Sequence, residues 1–161
     1  ARTPEMFAYL KQQFQGRKIL KEYLALVHGE VKNDEGVIKL PLKRSAAKGL
    51  FVAETNDREL GKEAETRYEV VEKFRNYTLL KIRILTGRTH QIRAHMRAIG
   101  HSVVGDEIYA TKDVKKKKTK HELNRLWLFA EHLGFKDRAG QWQEFKIKMP
   151  RELKEFLEKI R

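Results

Sequence analysis

The chain has 161 residues, a formal net charge of +13 and no cysteine. This length suits one domain with a real core, and the missing cysteines exclude disulfides, thiol chemistry and cysteine-ligated metal sites. The charge favours a polyanionic partner such as nucleic acid over a merely solubilising surface. No apolar run reaches membrane-spanning length and no signal peptide is visible, so we expect a cytoplasmic protein.

The first predicted element is an amphipathic helix over residues 4–15. Pro4 suits its first position and Thr3 its cap. Strands are predicted from 18 to 28 and from 37 to 42. The apolar face of the helix is predicted to carry Phe7, Leu10 and Phe14.

The middle of the chain predicts a hairpin, a tight turn and a short helix. Residues 64–74 and 77–85 have strand character around Arg75 and Asn76. A helix is expected over about 90–99, with Thr89 as its N-cap and Gly100 in the left-handed conformation that ends it. Ile92, Met96 and Ile99 share the helix face expected to pack on the sheet.

The remaining segments predict strands at 126–135 and 145–149 and a final helix that Pro150 opens. Many strands without regular strand–helix alternation indicate an α+β domain with a largely antiparallel, mixed β-sheet flanked by helices. The run Lys115–Lys118 is either a mobile arm that contacts RNA phosphates or a solvated insertion with no fixed partner.

The stretch between Glu72 and Asp106 is rich in basic residues and contains no acidic residue. Guanidinium groups near a helix N-terminus, with no carboxylate to neutralise them, are suited to holding an anion. That anion would be a phosphate or a carboxylate supplied from elsewhere in the protein. The basic residues are Lys73, Arg75, Lys81, Arg83, Arg88, Arg93 and Arg97.

Three motifs lie in or just after this basic stretch, and a fourth lies upstream of it. Residues 87–95 read Gly-Arg-Thr-His-Gln-Ile-Arg-Ala-His, followed by Gly100-His101 and by Gly-Asp-Glu-Ile-Tyr at 105–109. Upstream, Lys21 and Tyr23 form a lysine-x-tyrosine strand. Together these motifs resemble the RNA pseudouridine synthases of the RluA type, and the resemblance extends over nearly the whole chain.

The resemblance implies an enzyme that detaches uracil from ribose, turns the base and rejoins it through carbon five. In that family an aspartate in an arginine-leucine-aspartate motif performs the covalent chemistry, with no organic cofactor or metal. This sequence lacks the motif, and Asp106 matches a different family position. We therefore expect residues 1–161 to be the C-terminal portion of the catalytic domain, inactive alone. Its partners would be structured RNA, ribosomal or transfer, and the missing N-terminal part.

The resemblance also assigns residues to the site. Arg93 matches the arginine that pairs with the catalytic aspartate, and Tyr23 matches the tyrosine that would stack on the flipped uracil. Without the resemblance, Arg93 would instead be a surface arginine that binds phosphate, and Tyr23 a core residue. The residues expected to bind RNA are Arg88, Thr89, His90, Arg97, Lys81 and Arg83.

Three other hypotheses are weaker or less specific. A metal site at His90 and His95 is not expected, because residues five apart do not share a helix face. A non-catalytic basic RNA-binding module would use the same basic face without chemistry. A general anion-binding domain would bind heparin and RNA equally well.

Overall fold

The computed structural model describes residues 1–45, 50–53, 61–116 and 123–161, which contain four helices and eight strands. The helices are α1 (Pro4–Gln15), α2 (Gln91–Ala98), α3 (Lys112–Lys116) and α4 (Arg151–Ile160). The strands are β1 (Leu20–His28), β2 (Glu35–Ile38), β3 (Leu42–Arg44), β4 (Phe51–Ala53), β5 (Thr66–Lys73), β6 (Tyr77–Ile84), β7 (Leu128–Lys136) and β8 (Trp142–Lys146).

Six strands form one sheet in the order β2-β5-β6-β1-β7-β8, and each neighbouring pair is antiparallel. The central strand β1 pairs with β6 on one side and β7 on the other. Strands β3 and β4 pair separately. The predicted α+β class with an antiparallel sheet and flanking helices is therefore confirmed.

Several element bounds are confirmed and others are wrong. Helix α1 has the predicted bounds, and the Thr3 hydroxyl accepts a hydrogen bond from the Met6 amide at 3.3 Å. Thr89 does not cap α2, because the helix begins one residue later and its N-cap is His90, with φ of 55°. Gly100 has the expected left-handed backbone, φ +88°. The strand predicted at 37–42 divides into parts of β2 and β3, and β8 begins before residue 145.

Helix α4 covers one face of the sheet. Leu24 and Leu26 of β1 point to this side, because alternate residues of a strand face opposite sides. The Trp127 indole Nε1 donates a hydrogen bond to the carbonyl oxygen of Leu153 at 3.2 Å. The hydrophobic cluster on this face also contains Phe74, Leu79, Val104, Phe129, Phe156 and Leu157.

Helix α2 covers part of the opposite face. Ala25 and Val27 of β1 pack there with Ile92 and Met96 of the helix, as the predicted helix face requires. Strands β7 and β8 extend beyond this cluster. We call the exposed apolar residues on this same face at this end of the sheet the apolar patch: Leu133, Phe145 and Ile147.

Two of the three residues predicted for the apolar face of α1 are exposed, and the third, Leu10, is half-buried. Phe7 is 63% exposed and Phe14 49%, while the buried residue of the helix is Gln13. The Gln13 amide donates to the carbonyl oxygen of Lys136, and the Tyr9 hydroxyl donates to that of Asp137 at 2.6 Å. Polar contacts therefore attach α1 to the sheet. None of the helices in the described ranges has the length and apolarity to span a membrane.

Candidate active site

The turn between β6 and α2 is held by the side chain of Gln91. Its amide nitrogen donates to the Glu65 carbonyl oxygen at 2.9 Å and to the Thr66 hydroxyl at 3.0 Å. Its amide oxygen accepts from the Thr86 hydroxyl at 2.7 Å and from the Arg88 amide at 3.0 Å. All four hydrogen bonds of a buried amide are thus satisfied, which gives this turn a single geometry.

His95 continues this network into the interior. Its Nε2 lies 2.8 Å from the Leu40 carbonyl oxygen, and its Nδ1 lies 2.9 Å from the Thr66 hydroxyl. A carbonyl only accepts, so Nε2 carries the proton and Nδ1 accepts from Thr66. Burial lowers the pKa of His95, opposed by the hydrogen bond to Leu40. The ring is therefore neutral at pH 7 and has a structural role.

Arg93 on α2 is bound to Asp106. The guanidinium Nε donates to Asp106 Oδ2 at 2.7 Å, and Nη2 donates to Oδ1 at 2.9 Å. The Asp106 side chain is fully buried, and that of Arg93 is 15% exposed. Burial alone would raise the pKa of Asp106, but the bonds from Arg93 and from backbone amides hold it below its ordinary value. The pair is therefore ionised at neutral pH.

Backbone and aromatic groups fix this ion pair. Asp106 Oδ1 also accepts from the amides of Ile108 at 3.1 Å and Tyr109 at 2.8 Å. The Tyr109 ring lies under the guanidinium, with its centroid 4.7 Å from the central carbon of Arg93. Its hydroxyl accepts from the Phe51 amide at 3.1 Å and lies 3.2 Å from His90 Nδ1. Asp106 therefore holds the Arg93 guanidinium at one edge, and the Tyr109 ring holds it at one face.

The predicted catalytic residues Arg93 and Tyr23 lie on the same side of the sheet. Tyr23 packs at the edge of the cluster that contains Ile92, the neighbour of Arg93. Within the described ranges, no hydrogen bond joins Tyr23 to Arg93. Burial raises the pKa of Tyr23. Its phenol is therefore neutral at physiological pH, and its catalytic role stays a prediction.

Lys21 shares this side of β1 with Tyr23. It is only 6% exposed, and its Nζ lies 5.8 Å from the centre of the Phe14 ring. Burial lowers the pKa of its ammonium group. No carboxylate of the described residues forms an ion pair with it. A Cβ added at Gly87 would lie 3.9 Å from Nζ, so the ammonium group lies beside the start of the turn.

The residues predicted to bind RNA divide between two faces. Arg88, Thr89 and His90 are exposed at the start of α2, and Arg88 Nε donates to the Glu63 carbonyl oxygen at 3.0 Å. Arg97 lines a cavity of about 140 Å³ between α2 and β4. Two residues point to the face that carries α4, because they alternate with Leu80 and Ile82: Lys81 and Arg83.

The basic window is not free of carboxylates in space. Lys81 pairs with Glu22 at 3.4 Å, Lys73 pairs with Asp34 at 2.8 Å, and Arg93 pairs with Asp106. Of the two anions that the sequence leaves open for these cations, the structure therefore shows a carboxylate from elsewhere in the chain for Lys73, Lys81 and Arg93. The acidic partners come from β1, from the β1–β2 connection and from the segment after α2. All three lie outside the acid-free stretch of sequence.

Sequence reasoning missed the structural importance of Gln91, Thr66 and Asp106. The resemblance gives Asp106 a family position other than that of the catalytic aspartate, and both of its carboxylate oxygens are hydrogen-bonded and buried, which does not suit a nucleophile. The only sequence indication was a short polar residue after Gly105, a pattern typical of a turn that binds its own backbone amides.

Comparison with known proteins places this geometry in a family. A family model described as RNA pseudouridylate synthase matches residues 1–98. An uncharacterised RNA pseudouridine synthase of Aquifex aeolicus is 43% identical over 155 residues, covering 90% of this chain and 46% of the relative. The ribosomal large subunit pseudouridine synthase C of Vibrio vulnificus is 36% identical over 160 residues, covering 99% and 49% respectively.

A solved structure gives the same result. The human RNA pseudouridylate synthase domain containing 1 superposes with a TM-score of 0.80 at 26% identity, covering 93% of this chain and 62% of that chain. The chain spans about half the length of the curated relatives it matches. With the family match over residues 1–98, these findings show that the chain belongs to the RNA pseudouridylate synthase family.

Proposed function

We propose that this chain is the C-terminal portion of a catalytic domain that isomerises uridine to pseudouridine in structured RNA. The observation that carries the proposal is the position of Arg93, a largely buried arginine fixed on α2 within the segment that matches the family. Relatives are named as ribosomal large subunit pseudouridine synthases, which favours ribosomal over transfer RNA as the substrate. Such an enzyme acts in the cytoplasm and uses no organic cofactor or metal.

In this proposal, Arg93 binds the carboxylate that performs the covalent chemistry. An aspartate in a pocket that excludes water would be driven toward its neutral form. A guanidinium within hydrogen-bonding distance keeps it ionised and oriented. Arg93 uses Nε and Nη2 for Asp106, so the catalytic aspartate would be its second carboxylate.

Tyr23 would contact the base that is flipped out of the RNA. Its ring lies on the strand face shared with α2, and burial keeps its phenol protonated. A neutral aromatic ring at this position would stack on the uracil, and its hydroxyl would donate a hydrogen bond during proton transfer. Arg88, Thr89 and His90 lie exposed at the start of α2, where they would contact RNA phosphates.

The aspartate would come from an N-terminal part of the same protein, which we propose covers the apolar patch. Phe145 is 54% exposed and Ile147 58%. Phe14 of α1 adds to this surface, because its ring contacts Lys21, the register partner of Leu133. In the described part of the chain, β8 pairs only with β7, so its other edge is open to a further strand. The Aquifex aeolicus relative is about twice as long as this chain, so a protein of that length has enough additional residues to form this cover.

Tritium release from RNA labelled at uridine carbon five tests the proposal. The product of the complete reading frame should release tritium, and residues 1–161 alone should not. In the complete protein, Arg93→Ala should abolish release and Tyr23→Phe should reduce it. Arg138→Ala, in an exposed turn, is the matched control and should keep full activity. Full turnover by the Arg93→Ala protein would refute the assigned role.

The rival function is a non-catalytic basic RNA-binding module. Complete protein that binds RNA tightly but releases no tritium would favour it. Equal affinity for RNA and heparin over several salt concentrations would instead indicate general anion binding. The family match favours the enzyme over both.

A further inference from the structure

We propose that Asp106 is the residue that positions Arg93, and that Arg93 thereby presents its outer guanidinium edge to the catalytic carboxylate. This inference rests on the proposed function. It assigns a role to a residue outside the segment that the family model matches.

The geometry of the guanidinium supports this division of contacts. An arginine has five N–H groups in a rigid plane, and a carboxylate can bind either its side edge or its end. Asp106 occupies the side edge, formed by Nε and Nη2. The end that carries Nη1 and the second Nη2 proton makes no hydrogen bond to the described residues. One arginine can therefore bind two carboxylates at once.

The contacts of Asp106 explain why it would act as a fixed anchor. Its Oδ1 accepts hydrogen bonds from two successive backbone amides, those of Ile108 and Tyr109, as well as from Arg93. Its side chain is fully buried. Neither carboxylate oxygen can leave this arrangement without losing a buried hydrogen bond, which is costly.

Tyr109 would restrict the guanidinium in the remaining direction. Its ring lies under the guanidinium plane at 4.7 Å, and its hydroxyl accepts from the Phe51 amide at 3.1 Å. Asp106 therefore limits movement within the plane, and Tyr109 limits tilting out of it. Since catalytic groups must be held to within a fraction of an ångström, this double restriction would determine the rate of the chemical step.

The charge of Asp106 also matters for the second carboxylate. Asp106 already neutralises Arg93, so a catalytic aspartate at the outer edge would not be bound as one partner of a simple ion pair. Its attraction to Arg93 would be weaker than to an isolated arginine, and hydrogen-bond geometry would contribute more. This arrangement would orient the aspartate while leaving it reactive.

The test compares Asp106→Asn with Glu107→Gln, a neighbouring exposed acid, in the complete protein. Asp106→Asn should lower kcat in tritium release by about 100-fold, because Nε loses its acceptor and the outer edge shifts. KM should stay within about threefold, because RNA contacts lie elsewhere. Glu107→Gln should behave as wild type. An unchanged kcat in folded Asp106→Asn protein would overturn the inference.

A second readout does not depend on activity. In ¹⁵N NMR spectra of the 161-residue chain, the Arg93 Nε–H signal, assigned by its loss in Arg93→Lys, should exchange slowly with solvent. It should exchange rapidly in Asp106→Asn. Asp106→Glu keeps the charge and serves as the alternative variant if Asp106→Asn fails to fold. Its signal should move while remaining protected.

The two proposals can fail separately. Wild-type complete protein that releases no tritium would refute the proposed function, and the NMR experiment would then decide the positioning role of Asp106 alone. An Arg93 signal that is equally protected in the wild-type and Asp106→Asn chains would overturn the inference even if the enzyme is active.

Discussion

On one face of the sheet, α4 packs Leu153, Phe156 and Leu157 against buried residues of β1 and β6. On the other face, α2 covers the half containing β5 and β6 and leaves the apolar patch on β7 and β8 exposed. The face covered by α4 is formed by buried apolar residues, as in the core of a complete domain. Tyr23 and Lys21 lie on the other face, beside Arg93 of α2, so the two residues proposed for catalysis, Arg93 and Tyr23, lie near the point where the apolar cover of that face ends.

In the proposed function, the two catalytic residues lie on the side of the sheet opposite the closely packed α4 face, whereas the predicted RNA-binding residues Lys81 and Arg83 lie on the α4 side. Substitutions beneath α4 should change the free energy of unfolding, whereas those on the apolar patch should change association and activity. The segment containing Val104 and Asp106 links the two sides, since Val104 packs in the α4 cluster and Asp106 binds Arg93 on α2. Four predictions would test this comparison.

The largest expected effect is that of Leu153→Ala. Leu153 is fully buried under α4, so truncation leaves a cavity and should lower the free energy of unfolding by about 4 kcal/mol. Urea unfolding followed by tryptophan fluorescence, to which the buried Trp127 and the exposed Trp142 both contribute, would measure it. Val71→Ala, at an exposed strand position, should change it by less than about 0.5 kcal/mol. Equal losses would show that the α4 face is not the stable side.

The segment that links the two faces should be sensitive to a substitution at Gly105. Gly105 and Gly140 both have left-handed backbones, with φ of +75° and +79°. A Cβ at Gly105 would lie 2.0 Å from the Arg125 carbonyl oxygen, whereas Gly140 has no atom within 4 Å. Gly105→Ala should therefore destabilise by about 2 kcal/mol more than Gly140→Ala in thermal or urea unfolding. Equal destabilisation would mean that only the backbone conformation matters.

The α2 side should lose stability in mild acid through His95. Its folded pKa lies below the ordinary 6.5, so the unfolded chain binds the proton first. The free energy of unfolding should be highest above about pH 6.5 and fall as the pH is lowered. Asp106 has a lowered pKa and contributes separately, only below about its ordinary 3.8. His95→Gln should reduce the slope between pH 6.5 and 5, leaving the smaller part that comes from His90, whose pKa is also lowered by burial, and an unchanged slope would contradict this assignment.

The smallest effect on stability is expected at the apolar patch. Ile147 is 58% exposed, so Ile147→Lys should change the free energy of unfolding by less than about 0.5 kcal/mol. The isolated chain should self-associate through the patch, and the added charge should weaken that association in sedimentation velocity. A monomer at all concentrations for the wild type would count against an exposed binding surface.

Local sequence patterns were sufficient for α1, for the β5–β6 hairpin and for Gly100, because each depends on neighbouring residues. In β6, Leu80 and Ile82 alternate with Lys81 and Arg83, so the period of a strand alone places the two pairs on opposite faces. The sequence does not show which charged residues pair between different elements. The ion pairs of Lys81 with Glu22 and Arg93 with Asp106 join residues from different elements, so an acid-free stretch of sequence appeared unneutralised.

Two differences from a simple local interpretation have specific physical causes. Periodicity places Phe7 on the apolar face of α1 but does not show which surface covers that face, and Phe7 is exposed. The cap of α2 was assigned to Thr89 because hydroxyls commonly fill that role, whereas Gln91 holds the preceding turn by accepting from the Arg88 amide. The roles of Arg93 and Tyr23 came from family resemblance and not from their chemistry alone.

The polar attachment of α1 has a consequence for how the molecule opens. Tyr9 and Gln13 connect it to the β7–β8 turn through side chain–backbone hydrogen bonds, and its aromatic residues contribute little buried area. Such a helix can detach while the sheet remains intact, so its amides should exchange with deuterium well before those of β1 and β6. Deuterium uptake by α1 should therefore become slower when another part of the protein covers Phe7 and Phe14.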